Sequence, residues 1–235
     1  MNEKKLNNRI KDQYDQIAQS WGVKVWVDDE EFKKEIINFA DLTGKEKMLE
    51  VGIGAGDFAR SFGLKDVTGV DISTGMLAEC HQKHPTFTLI NADGEKLPLQ
   101  DNSFDLVCCR NYLQNFDDPT RAFKEMVRVV RPRGKIMVVE AAVFKNEREI
   151  ITEALRIVEP HHPLFPSHEL LYDLFLAGNL YNIEQKIVSL HRRWLTKWCQ
   201  SKQATPAQKK KIYNTWKRTS EQYLSKYNFT FFFFF

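Results

Sequence analysis

Near the start of the chain, Leu6, Ile10, Tyr14, Ile17 and Trp21 recur at spacings of three and four. That period predicts an amphipathic helix. A second short helix is expected around Glu30–Ala40, and beyond it the pattern becomes short apolar runs alternating with helical stretches. Lys47–Val51 reads as a buried strand and Ala55–Phe62 as a helix. Val67–Val70 is a second strand, after which Ser73 is placed to cap a helix over Thr74–Lys83. Thr86–Ile90 and Phe104–Arg110 are the third and fourth strands. Pro119–Val130 is a helix stopped by Pro132 and Gly134, and Lys135–Glu140 is the fifth strand.

Strands that are apolar throughout, separated by helices, imply a parallel sheet covered on both faces. Right-handed crossovers then give a doubly wound α/β sheet, which binds ligands at the carboxyl ends of its central strands. Asp71, Asp93 and Arg110 all fall at or just past strand ends. They are expected to share one edge of the sheet.

The 235 residues suffice for one sizeable α/β domain with a full core. No apolar run approaches the roughly 18–20 residues that span a bilayer. The polar start "MNEKKLNNRIKDQYDQ" is unlike a secretory signal. Cys80, Cys108, Cys109 and Cys199 form no metal-ligand spacing, and the pair 108–109 lies in an apolar run. Buried free thiols and a cytosolic location are expected, with no metal. The net charge of +3 conceals an asymmetry. Residues 191–227 hold ten Lys or Arg against the single acid Glu221, which leaves −6 for the rest of the chain.

The stretch "EVGIGAGDFA", residues 50–59, puts Gly52, Gly54 and Gly56 on alternate positions directly after the first strand. A turn of this kind brings backbone close to a ligand. A dinucleotide fingerprint needs G-x-G-x-x-G, and here Asp57 stands where its third glycine belongs. No GK[ST] follows, so a phosphate loop is excluded. An acid beside the helix N-terminus would also repel a pyrophosphate. Asp71 lies nineteen residues after Gly52, where a carboxylate can accept from two ribose hydroxyls. Asp93 follows the third strand, where it can take an exocyclic adenine amine.

With "LPLQDNSFDLVCCR" added, the chain resembles the class I S-adenosylmethionine-dependent methyltransferases. The likeness is greatest to the small-molecule branch that includes quinone and other secondary-metabolite methyltransferases. It runs over residues 14–140, through "EVGIGAG", "GVDIS", "NADGEKLPLQDNSFDLV" and "EMVRVVRPRGKIMVVE". The resemblance implies a Rossmann-like methyltransferase fold with S-adenosylmethionine as cofactor and a small-molecule methyl acceptor. It implies that Gly52 and Gly54 approach the methionine moiety, with Glu50 beneath the turn and Gly56 also among the cofactor-binding residues. Asp71 would bind the ribose, Asp93 and Gly94 would flank adenine, Arg110 would lie near the methionine part, and Ile72 is a further cofactor-binding candidate. Gly94 is a mild departure, since the family often has Ala there. "YDQIAQSW" resembles the family's N-terminal helix, whose tyrosine, here Tyr14, closes over the cofactor. In this fold a sixth and a seventh strand follow as an antiparallel edge pair; Leu180–Leu190 and Asn228–Phe235 suit them. The final "FTFFFFF" reads as a strand cut short, and must be buried to avoid aggregation. The expected organisation is therefore a helical lid over 1–40 and a cofactor-binding domain over 41–190. A basic C-terminal helical insertion over 191–227 and the last strand over 228–235 complete it.

Methyl transfer from a sulfonium demands few reactive side chains; alignment and exclusion of water do most of it. A base is needed only if the acceptor must lose a proton. His161 and His162, in the Pro-punctuated loop "EPHHPLFPS", are candidates, as is Tyr112 after the fourth strand. Gln114 and Asn115 could touch the acceptor. His81 and His84 read as helix C-terminal partners of the dipole rather than metal ligands. The basic segment interleaves cations with Trp194, Trp198, Tyr213, Trp216, Tyr223 and Tyr227. It suits a helix packed on the body, with Ile212, Tyr213 and Trp216 inward, an RNA platform, a cap over an apolar or anionic substrate, or a segment resting on an anionic membrane surface. Three alternatives to a small-molecule enzyme thus remain: an RNA methyltransferase, a cofactor-binding protein without catalysis, and a nicotinamide enzyme, which the glycine spacing disfavours.

Overall fold

The computed structural model describes residues 3–18, 30–116, 118–160, 162–180, 182–189, 204–216 and 228–234. Its strands are β1 (Lys47–Val51), β2 (Asp66–Asp71), β3 (Thr88–Asn91), β4 (Phe104–Arg110), β5 (Val130–Val139), β6 (Gln185–Ser189) and β7 (Asn228–Phe234). They form one sheet in the order β3-β2-β1-β4-β5-β7-β6, and the first five run parallel. The winding reverses between β1 and β4. Their carboxyl ends therefore border the crevice where open α/β sheets take ligands.

The helices are α1 (Glu3–Ile17), α2 (Glu30–Ala40), α3 (Asp57–Ser61), α4 (Thr74–Lys83), α5 (Thr120–Val129), α6 (Arg148–Arg156), α7 (His168–Ala177) and α8 (Pro206–Trp216). Successive strand residues face opposite sides, so an all-apolar strand serves two cores at once. Met48, Leu106, Cys108, Met137 and Val139 join Ile36 of α2, Ala59 of α3 and Leu155 of α6 on one face. Leu49, Val107, Cys109, Ile136 and Val138 join Phe123 and Met126 of α5 and Phe175 of α7 on the other. Phe123 and Phe175 meet with ring centroids 4.6 Å apart. Burying one such ring contributes about 1.5–3 kcal/mol. Cys80, Cys108 and Cys109 are buried free thiols; Cys199 lies outside the described residues.

The sixth and seventh strands form an antiparallel pair at one edge of the sheet: β7 pairs antiparallel with both β5 and β6, and β6 is the outer strand. An internal position covers both backbone edges of a very apolar run, which is the safer place for it. The fifth strand begins earlier than predicted. Phe104 pairs with Val130 but Leu106 with Lys135, so residues 131–134 bulge out of the ladder. Pro132 sits in that bulge, where its missing N–H costs no ladder bond.

Among the residues 191–227, only 204–216 are described. There Ile212 and Thr215 are buried, Lys209, Lys210 and Lys211 are exposed, and α8 packs against α6. Tyr213 is 50% exposed, not turned inward as its spacing suggested. It stands one residue from Ile212, about 100° around the helix, and a narrow contact with α6 cannot take both. No described helix is long and apolar enough to cross a membrane.

Candidate functional site

β1 ends at Val51, and the chain turns through Gly52, Gly54 and Gly56 with φ of 73, 54 and 80°. Other residues are strained at these angles. Space is as restrictive as torsion. The Tyr112 ring occupies the place a Cβ on Gly52 would need, and a Cβ on Gly56 would stand 2.6 Å from Cys80 Sγ. Nothing lies within 4 Å of that place at Gly54, so the turn opens there. The amides of Gly52 and Ile53 donate to the Val70 carbonyl at 2.8 and 3.0 Å, tying the turn to β2.

At the end of β2, Asp71 accepts from the Gly54 amide through one oxygen (2.8 Å) and from the Ser73 amide through the other (2.9 Å). Burial raises its pKa, and these two bonds oppose the rise. Each oxygen keeps acceptor capacity for a ligand. The next residue, Ile72, is half-buried, and its carbonyl accepts from the Asn91 side chain (3.0 Å). Asp93 orders its own loop by accepting from the Glu95 amide (2.9 Å). Gly94 is buried, and the Tyr112 hydroxyl fills the space beside it.

Three ionisable groups lie beneath the turn. Glu50 is buried and accepts from the Ala59 amide of α3 (2.9 Å). Burial raises its pKa to about 8, against the pull of Arg110. Arg110, at the end of β4, lies 5.5 Å over the Phe58 ring. It makes no hydrogen bond among the described residues, and burial lowers its pKa against the fields of Glu50, Asp57 and Glu140. Glu140 is fully buried directly after β5. Its Oε1 accepts from the amides of Tyr112 (2.6 Å) and Leu113 (2.7 Å), which directs the chain leaving β4. Burial raises its pKa to about 8.

The sequence reading did not single out Glu140. Its signal is the one that marked Asp71: an acid closing an apolar strand. Asp15 and Ser73 were also passed over as site residues, and only their meeting across the fold gives them a role. Asp15 Oδ1 accepts from the Ser73 hydroxyl (2.6 Å) and the Gly75 amide (2.9 Å). Beside it, the Tyr14 hydroxyl donates to Asn115 Oδ1 (3.3 Å), and Gln13 donates to Glu159 (3.2 Å). Burial raises the Tyr14 pKa, with Glu159 next in effect.

The candidate bases fare unevenly. Tyr112 lies between Gly52 and Gly94, and burial raises its pKa well above the ordinary value. It offers a flat face and a proton rather than a base. His162 is engaged in its own loop, with Nδ1 2.7 Å from the Pro163 carbonyl and its own carbonyl bound by Arg156 (2.8 Å). His161 lies outside the described residues. Gln114 and Asn115 both donate to the Asn111 carbonyl at 3.3 Å, so they brace the turn after β4. His84 ends α4 and stacks on Phe87 (5.0 Å) under the glycine turn.

Residues 49–138 match the family model described as a methyltransferase domain. Over 129 residues the chain is 33% identical to demethylmenaquinone methyltransferase of Renibacterium salmoninarum, covering 53% of this chain and 54% of that one. The chain thus spans about half the length of the curated relatives it matches. The YcgJ protein of Bacillus subtilis superposes with a TM-score of 0.66 at 20% identity, over 86% of this chain and 93% of that one. Phosphoethanolamine N-methyltransferase 2 of Haemonchus contortus, solved with S-adenosylhomocysteine, gives 0.60 at 22% identity, over 87% and 52%. At these identities the two structures establish the fold. Together with the sequence match, they show a methyltransferase-like fold in which residues 49–138 are similar to a methyltransferase domain.

Proposed function

We propose that the protein transfers a methyl group from S-adenosylmethionine to O, N or C of a small-molecule acceptor. The observation that carries this reading is the Asp71 carboxylate, fixed by two backbone amides at the mouth of the three-glycine turn. The donor set fits the cofactor's chemistry. Arg110 brings a guanidinium without hydrogen bonds among the described residues, which suits a carboxylate. Asp71 suits ribose hydroxyls, and the loop of Asp93 and Gly94 suits a base edge. Gly52, Gly54 and Gly56 keep side chains out of the way. Glu50 supports the turn from below, and Ile72 offers an apolar surface beside Asp71. When bound, S-adenosylmethionine supplies a methyl group already activated on a sulfonium. The protein's part is then to hold the acceptor in line and exclude water, a role this reading gives to Tyr14 and its helix and which the bond from Tyr14 to Asn115 supports.

The sequence match to quinone methyltransferases supports a small-molecule acceptor ahead of RNA. The RNA reading rests on residues 191–227, most of which lie outside the described residues. Within α8, Lys209, Lys210 and Lys211 are exposed to solvent while Ile212 faces the body.

The test is calorimetry with S-adenosylhomocysteine and with NAD. The wild-type chain is expected to bind the first and not the second. Asp71→Ala removes an acceptor worth roughly 1.5–3 kcal/mol in charge-assisted bonds, a loss of about ten- to a hundredfold in affinity. Unchanged affinity in Asp71→Ala, or tight NAD binding, would remove the basis for the assignment.

A further inference from the structure

A helix turns by about 100° per residue, so three consecutive side chains leave it in three directions. At residues 13–15 of α1 all three are taken. Gln13 reaches the segment after α6, Tyr14 the turn after β4, and Asp15 the turn after β2. The third connection differs from the other two. One oxygen of Asp15 takes two donors, the Ser73 hydroxyl and the Gly75 amide, and the other oxygen takes Lys11 Nζ (2.5 Å). These bonds lower the Asp15 pKa to about 2, with Lys11 the largest cause and Ser73 next. Packing reinforces the contact: a Cβ on Gly75 would stand 3.2 Å from Ala18 Cβ.

Ser73 is fully buried and bonded on three sides. Its amide donates to Asp71 Oδ1 (2.9 Å), its hydroxyl donates to Asp15, and the same hydroxyl accepts from the Met76 amide (3.0 Å) as the N-cap of α4. Without Asp15, that hydroxyl would be a buried donor lacking its acceptor, free to turn, and the N-terminus of α4 would lose a stabilising negative charge.

We propose that Asp15 is a positioning residue for cofactor binding: by holding Ser73 from α1, it fixes the Asp71 carboxylate and joins closure of the N-terminal helix to ribose recognition. This rests on the reading of Asp71 given above. The coupling is reciprocal. A ligand on Asp71 tightens α1 by the same factor as docked α1 tightens the ligand.

The experiment uses the full chain and its variants Asp15→Ala, Asp15→Asn and Lys11→Ala. Affinity for S-adenosylhomocysteine is read by calorimetry, amide exchange of α1 is read with and without it, and thermal melts follow folding. Asp15 is half-buried on a peripheral helix, so the sheet is expected to stay folded in each variant. Asp15→Ala is expected to bind about tenfold more weakly and to lose the ligand-induced protection of α1. Asp15→Asn keeps an oxygen that can accept both donors and is expected to recover most of the affinity. Lys11→Ala, which leaves that oxygen untouched, is expected to stay within about twofold. A merely structural Asp15 would shift the melting temperature and leave the affinity of the folded chain alone. Wild-type affinity in Asp15→Ala, or an Asn variant as weak as the Ala variant, overturns the proposal by itself. A wild-type chain that binds no S-adenosylhomocysteine overturns the cofactor reading and this proposal together.

Discussion

The two helices that precede the first strand are held in opposite ways. α2 places Ile36 and Ala40 fully in the core, and Lys135 Nζ binds the carbonyls of Ala40 (2.9 Å) and Asp41 (2.7 Å) at its end. A cation there satisfies carbonyls that the helix leaves open. Among the described side chains of residues 3–18, only Ala18 is buried, and α1 is held by polar bonds to loops that border the site. Buried apolar area holds whenever the chain is folded. A half-exposed hydrogen bond contributes only about 0.5–1.5 kcal/mol, so a few of them can open while the sheet stays intact. That is what a lid requires, and α2 lacks it.

The sharpest way to break this contrast is to damage each anchor in turn. Ile36→Ala is expected to cost about 2–5 kcal/mol of stability, because it removes buried methyl groups and leaves a cavity. Urea denaturation measures it, and a loss below about 1 kcal/mol would mean that α2 is not part of the core. Removing residues 1–18 is expected to do the reverse. The shortened chain should keep a cooperative urea transition near that of the full chain, yet bind S-adenosylhomocysteine at least about tenfold more weakly, through loss of the wall that excludes water. Full affinity in the shortened chain would show that α1 is no lid.

A smaller effect separates the helices by pH. The Asp15 pKa is depressed from 3.8 to about 2, so its contribution is complete above about pH 4 and is lost as pH falls through about 2. In that window α1 amides are expected to exchange faster before those of α2 change. Glu50 and Glu140 carry the opposite sign. With pKa values raised from 4.5 to about 8, the folded state holds extra protons between those values, so stability declines as pH rises through that range. Glu140→Gln is expected to flatten the slope in urea titrations run from pH 5 to 8; an unchanged slope would place the proton elsewhere.

Legibility followed the range of the interactions involved. Ser73 reads as a cap because its partner Met76 is three residues away, and the structure has that bond. The three glycines read as a tight turn because their torsions are local, and all three have positive φ. The buried contact of Tyr112 with Gly52 and Gly94 could not be read, since the partners are separated by sixty and by eighteen residues. The inward turn expected of Tyr213 failed for a related reason: its period marks a helix but does not say how wide a face the neighbour covers.

By itself the sequence determined the alternation of strands and helices, the two-sided apolar sheet, the glycine turn and the acids at the strand ends. Each is a matter of backbone torsion or short-range period, which a chain carries with it wherever it goes. Tertiary structure alone decided that β7 enters between β5 and β6, that Glu140 directs the turn after β4, and that Asp15 meets Ser73 across 58 residues. These pairings depend on which surfaces meet once both cores have formed, and a local pattern holds no record of a distant partner.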